Sequence, residues 1–302
     1  MLSSIFHRMA ASPAMGRWMT TNATARRFAA RFVAGESLDD AVTAARKLNV
    51  AQRMVSLDYL GESVSSEAEA RAAAATALGI FDRIAAENLD ANVSIKLTQM
   101  GLDISESLCE ELVWSIVERA AGYRNFVRID MEGSAYTERT VAICKRLRAR
   151  SPSVGVVLQS YLRRTEQDAR DLVAMGCHIR LCKGAYREPA DVAYPEKSDV
   201  DANYIRVMQL LQLSGIYHGI ATHDPRMIAA TQEFVAQHDI NRDHFEFQML
   251  YGIRTDLQER LIREGFRVRV YVPFGKDWFP YFMRRLAERP ANVIFFLRHT
   301  FR

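Results

Sequence analysis

The chain of 302 residues is 49% hydrophobic and 25% charged with little Gly and Pro, a composition that can bury a large core without disulfide staples. Its formal charge of +4 is modest and its acids and bases are interleaved, which argues against a dedicated nucleic-acid binder. No apolar run reaches bilayer-spanning length, and Cys109, Cys144, Cys177 and Cys182 form neither a CxxC pair nor a Cys/His ligand set, so no metal is expected and a reducing, cytoplasmic compartment is.

Residues 1–35 contain no acid, while Arg8, Arg17, Arg26, Arg27 and Arg31 recur among Ala, Ser and Thr. The pattern suits a targeting segment, or a basic amphipathic helix lying on the rest of the protein or on an anionic membrane surface. It runs straight into a helical stretch at 37–48, so residues 1–50 are read as a basic helical arm retained on a catalytic domain of residues 51–302.

Beyond residue 50 short apolar, β-branched runs alternate with longer segments of helical period, the mark of βα units and a parallel sheet. Strands are expected at 54–59, 93–98, 126–131, 155–160, 179–183, 219–223, 244–250 and 268–272. Helices are expected at 66–87, 104–121, 137–150, 165–175, 203–213, 226–237, 255–264 and 277–288. Eight such units in this length make a closed (βα)8 TIM-type barrel, with the last helix over its C-terminal mouth. A doubly wound open sheet is the rival, weakened by the absence of a GxGxxG turn.

Each strand run ends in a hydrophilic residue or a phenol: Asp58, Lys96, Asp130, Gln159, Lys183, His223, Gln248 and Tyr271. In a parallel barrel these ends share one rim, where active sites sit. Lys96, inside SIKLTQMG, reads as an internal ion pair with Asp130, an anion ligand, or a Schiff-base amine. On the last helix Tyr281 stands three residues from Arg284 and four from Arg285, so the three share a face. Two guanidiniums and an ammonium over an aromatic wall suit a carboxylate on an apolar ring. In IRLCKGAYREP, Arg180 and Lys183 bracket a strand end, and Gly184 with Ala185 lets a planar ligand approach the backbone; a phosphate site is the other reading.

The strings SIKLTQMG, VRIDMEGSAYT, IRLCKGAYREP, ATHDPRM, FEFQMLYGI, VRVYVPFGKDW and YFMRRLAERPAN, in this order, resemble the strand and last-helix motifs of the proline dehydrogenase family from about Asp58 onward. The arm resembles that of the short monofunctional bacterial members, and no aldehyde dehydrogenase domain follows, so the bifunctional form is not expected. The resemblance implies oxidation of L-proline to Δ1-pyrroline-5-carboxylate by hydride transfer to N5 of FAD. It also implies a quinone as the next electron acceptor and, with the basic arm, peripheral contact with the inner face of the membrane.

Position by position, the resemblance makes Lys96, Arg284 and Arg285 the ligands of the proline carboxylate. Tyr271, Tyr281, Leu250, Ala185 and Tyr186 then surround the pyrrolidine ring, and Asp130 orders the cations from behind. Arg180 stands beside flavin N5 and Gln159 at the pyrimidine edge. Cys182, Lys183, Gly184, Thr222, His223, Gln248 and Glu288 line the rest of FAD. Cys182 stands where the family usually has an aliphatic residue, and Arg187 where some members have an aromatic. Two other functions fit the residues read without the resemblance: a Schiff-base lyase using Lys96, and a non-catalytic small-ligand sensor.

Overall fold

The computed structural model describes residue 27 and residues 29–186 and 188–288, with only the backbone of 286–288 included. Residues 1–26 of the arm and Arg187 lie outside the described residues. Strands β1 (Met54–Tyr59), β2 (Ala91–Ile95), β3 (Val127–Ile129), β4 (Val154–Gln159), β5 (His178–Cys182), β6 (His218–Ala221), β7 (Phe245–Leu250) and β8 (Val268–Phe274) pair in sequence order, all parallel. β1 closes on β8, through Met54↔Arg269 to Tyr59↔Phe274, into a barrel of eight strands.

Helix α1 (Leu38–Val50) precedes β1, and α2 (Glu67–Ala86), α3 (Glu106–Gly122), α4 (Ser134–Arg148), α5 (Thr165–Ala174), α6 (Lys197–Leu213), α7 (Pro225–Gln237) and α8 (Thr255–Arg263) fill the crossovers. The last helix, α9 (Trp278–Glu288), follows β8. Local chemistry starts several of them. The Ser37 hydroxyl accepts the amide of Asp40 while the Asp40 carboxylate takes the amide of Ser37, and Ser66, Ser105 and Asp224 cap α2, α3 and α7.

Every strand alternates. Val55 and Leu57, Val93 and Ile95, Val127 and Ile129, Ile179 and Leu181, and Phe245 and Phe247 are buried in the main apolar core that the helices share. The intervening side chains fill the barrel itself, and many are polar or charged: Ser56, Asp58, Ser94, Arg128, Arg180, Glu246, Gln248 and Arg269, all buried. Such groups survive burial only when partnered. Glu246 accepts from Arg269 at 2.7 Å and from Gln248, and Gln248 accepts from Arg180, so one chain of bonds climbs the interior toward the mouth.

The expected elements stand, with shifted ends. β2 stops at Ile95 and β3 at Ile129, so Lys96 and Asp130 follow their strands, and β6 ends at Ala221, ahead of His223. α4 begins at Ser134 and α6 at Lys197, both ahead of their apolar periodicity.

Residues 29–35 run beside the last helix. Ala29, Phe32 and Val33 share a separate apolar cluster with Leu60, Ile253, Trp278, Phe279 and the fully buried Phe282. The amide of Ala34 bonds Pro273 O at 2.9 Å and that of Gly275 bonds Gly35 O at 3.0 Å. Removing a buried Phe costs roughly 3–5 kcal/mol, so this cluster suffices to seat α9 on the mouth. Among the described residues no helix is long and apolar enough to cross a membrane.

Candidate active site

At the C-terminal rim a cavity of about 1320 Å³, counting its open mouth, is walled by strand ends below and by α9 and the loop after β5 above. Among the polar strand-end residues all but Asp58 line it. The remaining candidates Arg180, Cys182, Gly184, Ala185, Tyr186, Thr222, Leu250, Tyr281, Arg284 and Arg285 line it too. Glu288 ends α9, and its side chain lies outside the described residues.

Lys96 Nζ donates to both oxygens of Asp58 at 3.0 Å, to Asp130 Oδ2 at 3.4 Å and to Tyr271 Oη at 3.3 Å. The expected partner Asp130 is therefore the second carboxylate. Asp58, with no exposed surface and level with Ser94 on the neighbouring strand, holds the ammonium more closely. Burial alone would lower the pKa of Lys96, but the charges of Asp58 and then Asp130 outweigh it and raise the value. Lys96 is thus held as an ammonium, an anion ligand and a poor nucleophile.

Asp130 ties the floor together. Its Oδ1 accepts from Arg180 Nη1 at 2.9 Å and its Oδ2 from the Tyr271 phenol at 2.8 Å as well as from Lys96. Burial first, then the charge of Asp130, pushes Tyr271 well above the ordinary tyrosine range, so it remains a neutral donor. Arg180 is fixed from all sides: Ser94 Oγ at 3.2 Å, Ser56 Oγ at 3.1 Å, Gln248 through Nε, and the Tyr271 ring at 5.4 Å. A guanidinium so restrained is a preorganised positive charge.

The roof carries the other cations. Arg284 grips Glu62 in a two-pronged ion pair of 2.7 and 3.1 Å, and the Arg285 guanidinium lies 5.2 Å from the centre of the Tyr281 ring. Glu62, from the loop after β1, received no role from the sequence. Toward the far end, Lys183 is engaged by Asp201 and by Asp224 at 2.7 Å, and Arg226 joins the same carboxylates. His223 accepts the Leu250 amide through Nε2 at 2.9 Å. Gly184 needs its missing side chain: φ is +115° and a Cβ would collide with the Tyr161 ring.

Asp58, Ser56 and Ser94, like Glu62, are residues that sequence reading left without a role. The available signal was the alternation V-S-L-D and V-S-I-K, whose second and fourth positions all point into the barrel.

A model of the proline dehydrogenase family matches residues 41–298. Proline dehydrogenase 1 of Bacillus subtilis (strain 168) is 44% identical over 270 residues, covering 89% of both chains. Proline dehydrogenase of Deinococcus radiodurans is 42% identical over 272 residues, covering 88% of both. Among solved structures, proline utilization A from Bdellovibrio bacteriovorus, inactivated by N-propargylglycine, superposes with a TM-score of 0.82 at 25% identity. That match covers 87% of this chain and 33% of the larger protein.

Proposed function

Because the chain belongs to the proline dehydrogenase family and is an enzyme of proline oxidation, we propose that its barrel mouth converts L-proline to Δ1-pyrroline-5-carboxylate with FAD as cofactor. The observation that carries this reading is the convergence of Lys96, Arg284 and Arg285 with the phenols of Tyr271 and Tyr281 on one cavity.

The residues present fit a flavin. Gln159 is only 3% exposed and its Oε1 has no hydrogen-bond partner among the described residues, an acceptor that a ring N–H would satisfy. Gly184 lines the cavity with bare backbone, and the cavity's accessible space of about 370 Å³ lies within the roughly 300–1,000 Å³ of small-molecule sites. Gln159, Arg180 and Gln248 would hold the ring system, and Cys182, Lys183, Gly184, Thr222 and His223 the remainder, with Glu288 beyond them. FAD, when bound, supplies the hydride acceptor.

The chain's own residues bind and orient. Lys96, Arg284 and Arg285 take the substrate carboxylate, and the bidentate grip of Arg284 on Glu62 is the geometry a substrate carboxylate adopts by displacing that side chain. Tyr271, Tyr281, Leu250, Ala185 and Tyr186 enclose the pyrrolidine ring and exclude water, which fixes its orientation. Arg180, restrained by Asp130, sets a positive charge where negative charge builds during oxidation. Proline must lose its ammonium proton before hydride can leave. His223, the one histidine among the described residues lining the cavity, has Nε2 committed to an amide, so that proton goes to solvent.

An ammonium held by two carboxylates is a poor Schiff-base amine, which weighs against the lyase alternative. A quinone is the proposed second acceptor, and one dissolved in lipid would bring the protein to the inner face of the membrane. Steady-state assay with L-proline and a water-soluble quinone, with trapping of the imine product, tests the reading. Stoichiometric imine and quinol are expected, and their absence from FAD-reconstituted protein would overturn it.

A further inference from the structure

Two residues of the cavity wall, Ala185 and Tyr186, sit on the loop after β5, and the structure shows what holds that loop in place. Glu188 is the fastening. Its Oε1 accepts from the Ser134 amide at 2.7 Å and from the Tyr161 phenol at 3.3 Å, and its Oε2 accepts from the Ser134 hydroxyl. Ser134 opens α4, whose N-cap, Gly133, offers no side-chain acceptor. The free amides and partial positive charge of that helix end draw a carboxylate, and here it comes from 54 residues further along the chain.

The near end of the loop is pinned through the same tyrosine. The Tyr161 ring lies against the Gly184 backbone, and its amide bonds Lys183 O at 2.9 Å. Tyr161 O in turn receives the Tyr194 amide at 2.8 Å, and Leu162 bridges Ala193. Ala185 and Tyr186 therefore lie on an arch with both feet anchored. Tyr186 lines the same cavity as Glu62 and Arg284.

We propose that Glu188 is a positioning residue for proline oxidation: by tying the arch to α4 it sets Tyr186 and Ala185 at the distance where they close on the substrate ring. Glu188 does not line the cavity, so it acts through the arch. The inference rests on the reading of this cavity as the proline site.

The test uses FAD-loaded protein and two readouts. One is KM and kcat for L-proline; the other is calorimetric affinity for cyclopentanecarboxylate, a ring acid without the nitrogen needed for oxidation. Glu188→Ala should raise KM and weaken cyclopentanecarboxylate roughly tenfold, the loss of about one charge-assisted hydrogen bond, with kcat changed less than about threefold. Glu188→Gln, which keeps an acceptor for the Ser134 amide, should recover part of the affinity. In a Tyr186→Ala background Glu188→Ala should add nothing further, because both act through one wall. Should Glu188→Ala fail to accumulate as folded protein, Ser134→Ala with Tyr161→Phe removes donors from the other side and should reproduce the affinity loss. Unchanged KM and affinity in the fastening variants, or effects additive with Tyr186→Ala, would overturn the inference. Wild-type protein that neither oxidises proline nor binds the acid would instead sink the reading of the cavity.

Discussion

Replacing Asp130 by Asn keeps the shape of the side chain and deletes the charge on which three donors converge. The carboxylate is 9% exposed and bonds Arg180 at 2.9 Å, the Tyr271 phenol at 2.8 Å and Lys96 at 3.4 Å. An amide can accept at one end only, so its NH2 must face either Arg180 or the Lys96–Tyr271 pair. Stripping a buried charge of its only counter-ion costs roughly 3–5 kcal/mol. Here Lys96 keeps Asp58, and Arg180 keeps Ser56, Ser94 and Gln248, so the loss should be smaller, about 2–3 kcal/mol. Urea titration should show that destabilisation, and kcat/KM for proline should fall about ten- to a hundredfold as Lys96 and Arg180 lose their shared anchor. Asp58→Asn, which leaves Arg180 its Asp130 anchor, should destabilise comparably and harm catalysis less. An Asp130→Asn variant within about 0.5 kcal/mol of wild type, with kcat/KM within threefold, would refute the reasoning.

Arg284→Met or Arg285→Met should raise KM for proline so that kcat/KM falls roughly tenfold or more, with FAD still bound, as measured by steady-state kinetics and cofactor content. Tyr281, 6% exposed on the cavity wall, should exclude a 4-hydroxyl; Tyr281→Ser should narrow the preference for proline over trans-4-hydroxyproline by about one to two powers of ten, read as the ratio of kcat/KM values. Burial holds His218 down to about 3 while its Nδ1 accepts the Ile179 amide and its Nε2 meets Ser214 Oγ. The unfolded state therefore binds the extra proton first as pH falls below about 6.5, and His218 should contribute a loss of roughly 1.4 kcal/mol per pH unit until about pH 3, with His178, held down to about 4 by burial, adding a similar loss. His218→Gln should roughly halve the histidine contribution to that slope in thermal melts taken between pH 7 and about 4.

Much of the barrel was legible because apolar runs ending in Asp58, Lys96, Asp130, Gln159 and Gln248 have no reason to finish that way except at a shared rim. The interior was less legible. Ser56, Ser94, Arg128, Arg180, Glu246 and Arg269 occupy the inward positions where Val or Ile usually fills such barrels, so strands that are apolar toward their helices carry a polar column inside. That alternation was present in V-S-L-D, V-R-I-D and F-E-F-Q, but reading each run only for its last residue passed over it. Partnership across distant segments was harder still. Glu62 with Arg284 and Glu188 with Ser134 join residues that no local spacing relates. Strand ends differ from the expected ones by a residue or two, as element boundaries ordinarily do, and the Asp130 amide still bonds Ile95 O at 2.8 Å.

The proposal that the barrel mouth oxidises proline through a bound flavin is tested most directly by the visible absorption of the purified protein under anaerobic conditions. The account predicts a yellow protein whose flavin bands bleach on adding L-proline, with bleaching shifted to far higher proline concentration in Arg284→Met. A protein that stays colourless after incubation with FAD, or whose flavin bands are indifferent to proline, would contradict it.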